Sequence, residues 1–365
     1  MTHSDIARQR LLNQHIARAR FSEPAKIVAW LAAVQAQDFA AAKWSLGLRL
    51  RGASDADVER AFTDGKILRT HLLRPTWHFV ARDDIRWLLA LTAPRVHQAN
   101  AYMYRKLGLD SSVFRRSNDA LAEALSGGKQ LTRDGIRAVL DRAGVDAKGE
   151  FRLGYLLMRA ELDGVVCSGG REGKQFTYAL FDERVPPSRA RGRNEALAEL
   201  ARRYFTSRGP ATVHDLAKWS GLTLADARRG LDEVRSELQS KVIDGQSIWF
   251  SAPVRHARRT ASNAYLLSIY DEFVSGYKDH RAIVTDQNGA RLKSLGNLLT
   301  HIVVINDKIA GTWKPIRQKN TLVIDASVFA RLSKSETQAV AKAARRYGEF
   351  VGLEARLSVV VAPNR

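Results

Sequence analysis

Three times along this 365-residue chain, a stretch with helical spacing gives way to two short β-branched or aromatic runs joined by a turn. In the first unit, residues 6–16 and a segment opened by Glu23-Pro24 read as helices. Proline suits the first helical position, and Ile27, Trp30, Leu31 and Val34 recur at helical spacing. Ser54 is placed to cap a helix over residues 55–63, and residues 67–80 predict a hairpin with Arg74-Pro75 at its tip. The second unit repeats the order with helices over 119–125, 132–140 (capped by Thr132) and 151–162. A hairpin over 165–181 follows, with Gly169-Gly170 as its turn. The third has helices over 195–206, 213–220 (capped by Thr212) and 224–237 (capped by Thr223). Its hairpin turns at Asp244-Gly245. A repeat of roughly 80 to 100 residues built this way is the pattern of the winged helix, the helix-turn-helix variant with a β-hairpin wing. From residue 264 the pattern becomes strand-like (298–305, 308–313, 321–324, with Asn306-Asp307 as a turn) before a closing helix over 333–348. The expected fold class is mainly α with β-hairpin wings (α+β). Its expected boundaries are a first winged helix with connecting helices over 1–116, a second winged helix over 117–183, a basic linker over 184–194, a third winged helix over 195–262, and an α+β domain over 263–365.

Charge points to the partner. The chain carries 58 Lys+Arg against 38 Asp+Glu, a formal net charge of +20. Such an excess bears on partners and solubility rather than on fold, and polyanions are the natural partner because each phosphate contacted releases counterions. The linker concentrates the theme: it holds Pro186-Pro187 and Arg184, Arg189, Arg191 and Arg193 without an acid between 184 and 194. Arg189, Arg191 and Arg193 are candidate phosphate or minor-groove contacts; a solvated tether is the alternative. No apolar run is long enough for a membrane span, and residues 1–20 lack the apolar region of a secretory signal. The single cysteine, Cys167, excludes a disulfide framework and a Cys-rich zinc site. A cytoplasmic setting, nucleoid-associated when bound to DNA, is expected.

The residues with chemical promise are Gln35 and Gln37, separated by Ala36. On a continuous helix, positions i and i+2 diverge; on an extended stretch they share a face. If they act together, the helix ends between or just after them. An amide is no strong base, but its oxygen can hold and orient a water. That suffices where the leaving group is already activated. An N-alkylated purine is positively charged, so positioning and electrostatic stabilisation supply the rate. The alternative is that both glutamines end a helix and bond to backbone. Asp38 is expected to cap the helix over 39–48, with a role as the actual base as the other reading. In 76–80, Trp77 and Phe79 share one face, expected to be core, and His78 faces the other. His78, Arg69 and Arg74 are candidate DNA contacts, with a structural histidine as the other reading. Tyr270-Asp271-Glu272 and Tyr277-Lys278-Asp279 read as structural, since adjacent carboxylates seldom converge on one site. The nine histidines do not cluster, so neither metal nor cofactor is expected, and phosphate-loop, dinucleotide and nucleophile-elbow motifs are absent.

The glutamine motif with Trp44 and Leu46 behind it resembles that of the AlkZ-like DNA glycosylases, a bacterial winged-helix family. Further matching segments are RTHLLRPTWHFV (69–80), residues 84–91, LLSIYDEFVSGYKDH (266–280) and residues 324–329. The resemblance spans nearly the whole chain. It implies three tandem winged helices curved around duplex DNA and removal of bulky alkylated purines, including unhooking of interstrand crosslinks. The family's catalytic Gln-apolar-Gln motif maps onto Gln35, Ala36 and Gln37. A related branch has aspartate at the second position; this chain keeps glutamine and so sides with the crosslink-unhooking type. The expected activity is monofunctional hydrolysis of the N-glycosidic bond by a monomer acting on double-stranded DNA with alkylated bases. A non-catalytic winged-helix DNA-binding protein or transcriptional regulator is the alternative.

Overall fold

The structure, a computed structural model, describes residues 1–251, 262–285, 288 and 300–362. The expected 262/263 boundary adjoins 252–261, and the start of the strand expected at 298 also lies outside the described residues. The first unit comprises α1 (His3–Asn13), α2 (Pro24–Leu31), β1 (Ala33–Gln35), α3 (Phe39–Gly47), α4 (Asp55–Thr63), β2 (Ile67–Leu72) and β3 (Thr76–Ala81). Local signals set these ends. Pro24 opens α2, Ser54 makes a reciprocal capping box with Asp57 on α4, and Leu73 at φ 60° lets the chain reverse before Pro75. A long helix, α5 (Ile85–Lys106), joins this unit to the second. Connecting helices were expected before residue 116, but not the extent of this one, because Pro94 and a polar second half obscure its pattern.

The second unit runs through α6 (Ser111–Leu125), β4 (Gln130–Thr132), α7 (Arg133–Arg142), α8 (Glu150–Leu162), β5 (Val166–Glu172) and β6 (Gln175–Leu180), in sheet order β4-β6-β5. Gly169-Gly170 is not the turn. It forms a bulge within β5, and the reversal falls at Gly173, which has φ 59°. The bulge needs glycine, since a Cβ at Gly169 would lie 2.3 Å from Thr177 Oγ1. After a single turn, α9 (Phe181–Arg184), the third unit follows: α10 (Arg193–Arg208), α11 (Val213–Ser220), α12 (Leu224–Glu233) and the hairpin β7 (Gln239–Ile243) and β8 (Gln246–Phe250). The C-terminal part holds β9 (Ala264–Leu267), α13 (Glu272–Ser275), β10 (Ile302–Ile305), β11 (Lys308–Gln318), β12 (Thr321–Val328), the closing helix Lys334–Val351 and β13 (Glu354–Val361). Its strands lie in the order β13-β12-β11-β10-β9, and β13 runs parallel to β12.

The β1-β3-β2 sheet is the hinge of the packing. Val34, Phe79 and Ile67 face a core shared with Leu266, Trp313 and Phe350 of the C-terminal part. Ala33, Val80 and Leu68 face a second core shared with Leu88 of α5 and with Phe205 and Trp219 of the third unit. Strand alternation thus sends successive residues of β1 into two different cores, and a one-residue slip would exchange them.

Candidate active site

The glutamines do not sit on a helix. α2 stops at Leu31, short of the expected continuation to Val34, because Ala32 adopts φ 61° and turns the chain into β1. In that extended segment Gln35 stands opposite His78 on β3, and the Ala36 N–H donates to the Trp77 carbonyl at 2.7 Å. Gln35 is the last residue of β1, and Gln37 follows in a bend two residues on. Gln35 is half-buried and Gln37 exposed. Asp38 ends the segment by accepting the Ala41 N–H at 2.9 Å, the cap expected of it.

Both side-chain amides are oriented by groups that can only donate. Arg74 Nη2 donates to Gln35 Oε1 at 3.2 Å, and the Trp77 N–H donates to Gln37 Oε1 at 3.3 Å. Each amide oxygen keeps a second lone pair. Arg74 Nη1 also reaches the Lys218 carbonyl, at 3.3 Å. Burial lowers the Arg74 pKa, partly offset by the Glu272 carboxylate. The Lys218 ammonium donates to the Ser275 carbonyl at 2.7 Å; burial and then the Arg74 charge bring its pKa down to about 8. The motif therefore borders the third unit as well as its own hairpin.

Two expected contacts require correction. His78 has no exposed surface, so its ring cannot meet a phosphate in this conformation. Its Nδ1 bonds the Thr76 carbonyl at 2.9 Å, while Nε2 has no hydrogen-bond partner. Burial, followed by the charge of Arg74, holds its pKa well below 6.5. Arg69 is also buried. It braces the motif from behind, Nε donating to the Ala36 carbonyl at 2.9 Å and Nη2 to the Gln37 carbonyl at 3.4 Å, with the guanidinium 4.2 Å from the Trp77 ring and 4.8 Å from the Phe176 ring. Burial brings its pKa down to about 10, against the pull of Glu161. Phe79 is core as expected, but Trp77 is only half-buried. In the linker, Arg189 and Arg193 are exposed and lie 3.4 and 3.0 Å from Glu195 and Asp226. Arg191 stands 5.2 Å from the Trp87 ring.

The acidic segment holds what the sequence reading missed. Asp271 and Glu272 diverge, as adjacent carboxylates should. Asp271 pairs with Arg49 at 2.8 Å and Glu272 with Arg208 at 2.6 Å, all four side chains fully buried. Two acids inside an apolar run were the available signal, because a buried carboxylate needs a cation. Among the described residues no group of three or more His, Cys, Asp or Glu could hold a metal, and no helix is long and apolar enough to cross a membrane. Cys167 is buried, and burial raises its pKa to about 12, which makes it a poor nucleophile.

The family model described as "DNA glycosylase AlkZ-like" matches residues 28–350, a span that includes the glutamine strand, all three hairpins and most of the closing helix. The chain belongs to the AlkZ-like DNA glycosylase family. It is accordingly a DNA N-glycosylase. An "Interstrand DNA cross-link repair glycosylase" of Streptomyces sahachiroi is 24% identical over 312 residues, covering 80% of this chain and 82% of the relative. In fold, the chain is similar to the solved structure of the Streptomyces sahachiroi DNA glycosylase AlkZ. The TM-score is 0.81 at 20% identity, covering 99% of this chain and 100% of that one. That likeness shows that this AlkZ-like chain shares the solved protein's mixed α and β fold with small sheets.

Proposed function

We propose that this AlkZ-like glycosylase hydrolyses the N-glycosidic bond of alkylated purines in double-stranded DNA, including bulky adducts or interstrand crosslinks, with a water positioned by Gln35 and Gln37. The observation that carries this reading is the pair of amide oxygens two residues apart on a solvent-reaching segment, each held by a fixed donor. A water that donates one hydrogen to each remaining lone pair has its own lone pairs directed outward. Set against C1′, it attacks as the bond to the base breaks; the base leaves neutral with the bond's electron pair, and the water's surplus proton passes to solvent. The base leaves readily because alkylation has made it cationic, so placement supplies what a strong base would otherwise have to. The mechanism gives no lysine a covalent step, and the product is an abasic site with an intact strand. The printed name of the Streptomyces sahachiroi relative supports crosslinks as the substrate class. A monomer acting near the nucleoid is the working picture. Arg74, Lys218, Arg189, Arg191 and Arg193 are the proposed phosphate contacts.

The test is incubation with duplex DNA carrying 7-methylguanine, followed by hot alkali and detection of scission at the lesion. Scission is expected with the parent and lost in Gln35→Ala and in Gln37→Ala, with DNA affinity retained. If both variants cleave like the parent, the glutamines are structural. If the parent never cleaves but binds a defined sequence tightly, the chain is a DNA-binding regulator.

A further inference from the structure

Resting on the reading above, we propose that Glu272 is a positioning residue for the hydrolysis: with Arg208 it stands in for a missing neighbour strand and fixes the segment that carries Gln35. The sheet order β1-β3-β2 leaves β1 at an edge, with its outward backbone groups unpaired by any strand. An edge of three residues has little pairing of its own to hold it. Two of the outward groups, and the carbonyl that ends α2, are nonetheless taken. The Gln35 N–H donates to Glu272 Oε1 at 2.8 Å. Arg208 Nη2 donates to the Ala33 carbonyl at 2.9 Å and Nη1 to the Leu31 carbonyl at 2.8 Å. At these two positions of the edge the ion pair thus supplies what a neighbouring strand would, a donor for the Ala33 carbonyl and an acceptor for the Gln35 N–H.

The clamp is itself locked. Glu272 Oε2 accepts from Arg208 Nη2 at 2.6 Å, Arg208 Nε at 3.1 Å and Trp219 Nε1 at 2.9 Å, leaving Oε1 for Gln35. The Arg208 guanidinium lies 4.2 Å from the Trp219 ring centroid. Burial alone would raise the Glu272 pKa, but Arg208, the Gln35 N–H and Arg74 together leave it lowered, so the carboxylate is charged. α10 supplies Arg208, α11 supplies Trp219 and the C-terminal part supplies Glu272, and all act on one strand of the first unit. A site held by packed, hydrogen-bonded partners keeps its geometry where a free edge would drift.

All three partners of the Glu272 carboxylate are donors. In Glu272→Gln the amide oxygen stays with Arg208 and Trp219, and its NH2 is turned against the Gln35 N–H. Glu272→Asp keeps the charge but is one methylene too short to reach both sides. Three measurements test the proposal: amide hydrogen exchange at Gln35, single-turnover release of 7-methylguanine from saturating duplex, and duplex affinity. In the parent the Gln35 amide is expected to exchange as slowly as the paired amides of β2; fast exchange there overturns the proposal whether or not either variant folds. In the variants, exchange at Gln35 should rise, release should fall about 100-fold, as expected for a reacting group misplaced by about an ångström, and affinity should stay within about twofold because the pair is buried away from DNA. Faster exchange with parent-like release overturns the proposal, as does unchanged exchange. A parent that releases no base overturns the functional reading instead, and the exchange arm still decides whether Glu272 holds Gln35.

Discussion

Arg74 and Gln35, 39 residues apart in sequence, meet through one hydrogen bond: Arg74 Nη2 to Gln35 Oε1, 3.2 Å. The same guanidinium bonds the Lys218 carbonyl, so one side chain links the glutamine to the third unit. Arg74→Ala should lower single-turnover base release on the order of tenfold, the value of one charge-assisted hydrogen bond of about 1.5 kcal/mol. Arg74→Lys should recover DNA affinity but not the full rate, since a point charge does not reproduce two divergent N–H donors. Equal rates for parent and Arg74→Ala would show that the contact does not orient Gln35.

Arg69 serves a different purpose from the one its charge suggests. Buried between Trp77 and Phe176 and bonded to the Ala36 and Gln37 carbonyls, it supports the backbone of the motif. Arg69→Ala should destabilise the fold by about 2–4 kcal/mol in denaturant melts, through lost packing and orphaned carbonyls. The slope of log affinity against log salt should not change, because no phosphate contact is lost. A slope reduced by about one unit would restore Arg69 to the DNA interface.

What was legible in the sequence was local. Ser54, Asp38, Thr212 and Thr223 each accept from the backbone N–H three residues ahead, and a cap depends on nothing farther away. The order of helices and hairpins was readable for the same reason. β1 was not: Ala33-Val34-Gln35 continues the spacing of α2, and only the positive φ at Ala32 separates them. Nor was β13, whose partner β12 lies across the closing helix. Alternation correctly turned His78 away from Phe79, but the space it turns into is filled by the third unit, so the expected surface is interior. Glu272 and Arg208 were invisible for a related reason, because their meeting is set by packing between parts 64 residues apart.

His78 makes stability depend on pH. Its folded pKa is depressed by burial and by Arg74, so the folded state favours the neutral ring while the unfolded chain titrates near 6.5. Its contribution is therefore complete above the unfolded value and is lost as pH falls below it, by about 1.4 kcal/mol per pH unit for one proton. His15, His280 and His301 are lowered in the same direction and steepen the trend. Melting temperature should drop between pH 7 and pH 5, and less so in His78→Leu, which removes one of the groups taking up a proton on unfolding. An identical pH profile in that variant would mean that His78 is not kept neutral by the fold.

Lys218 offers a test of the DNA-facing side at alkaline pH. With its pKa brought down to about 8 by burial and by Arg74, it is mostly charged at pH 7 and mostly neutral at pH 9. If it meets a phosphate, duplex affinity should fall across that interval and the salt slope should shrink by about one, since one fewer counterion is released. Lys218→Arg stays charged throughout and should bind equally at both pH values. Lys218→Met should bind at pH 7 as the parent does at pH 9. The Lys218→Arg control isolates this side chain, because every other titrating group is common to both proteins; parent affinity that is flat from pH 7 to 9 would place Lys218 off the DNA path and leave Arg74 as the proposed phosphate contact next to the motif.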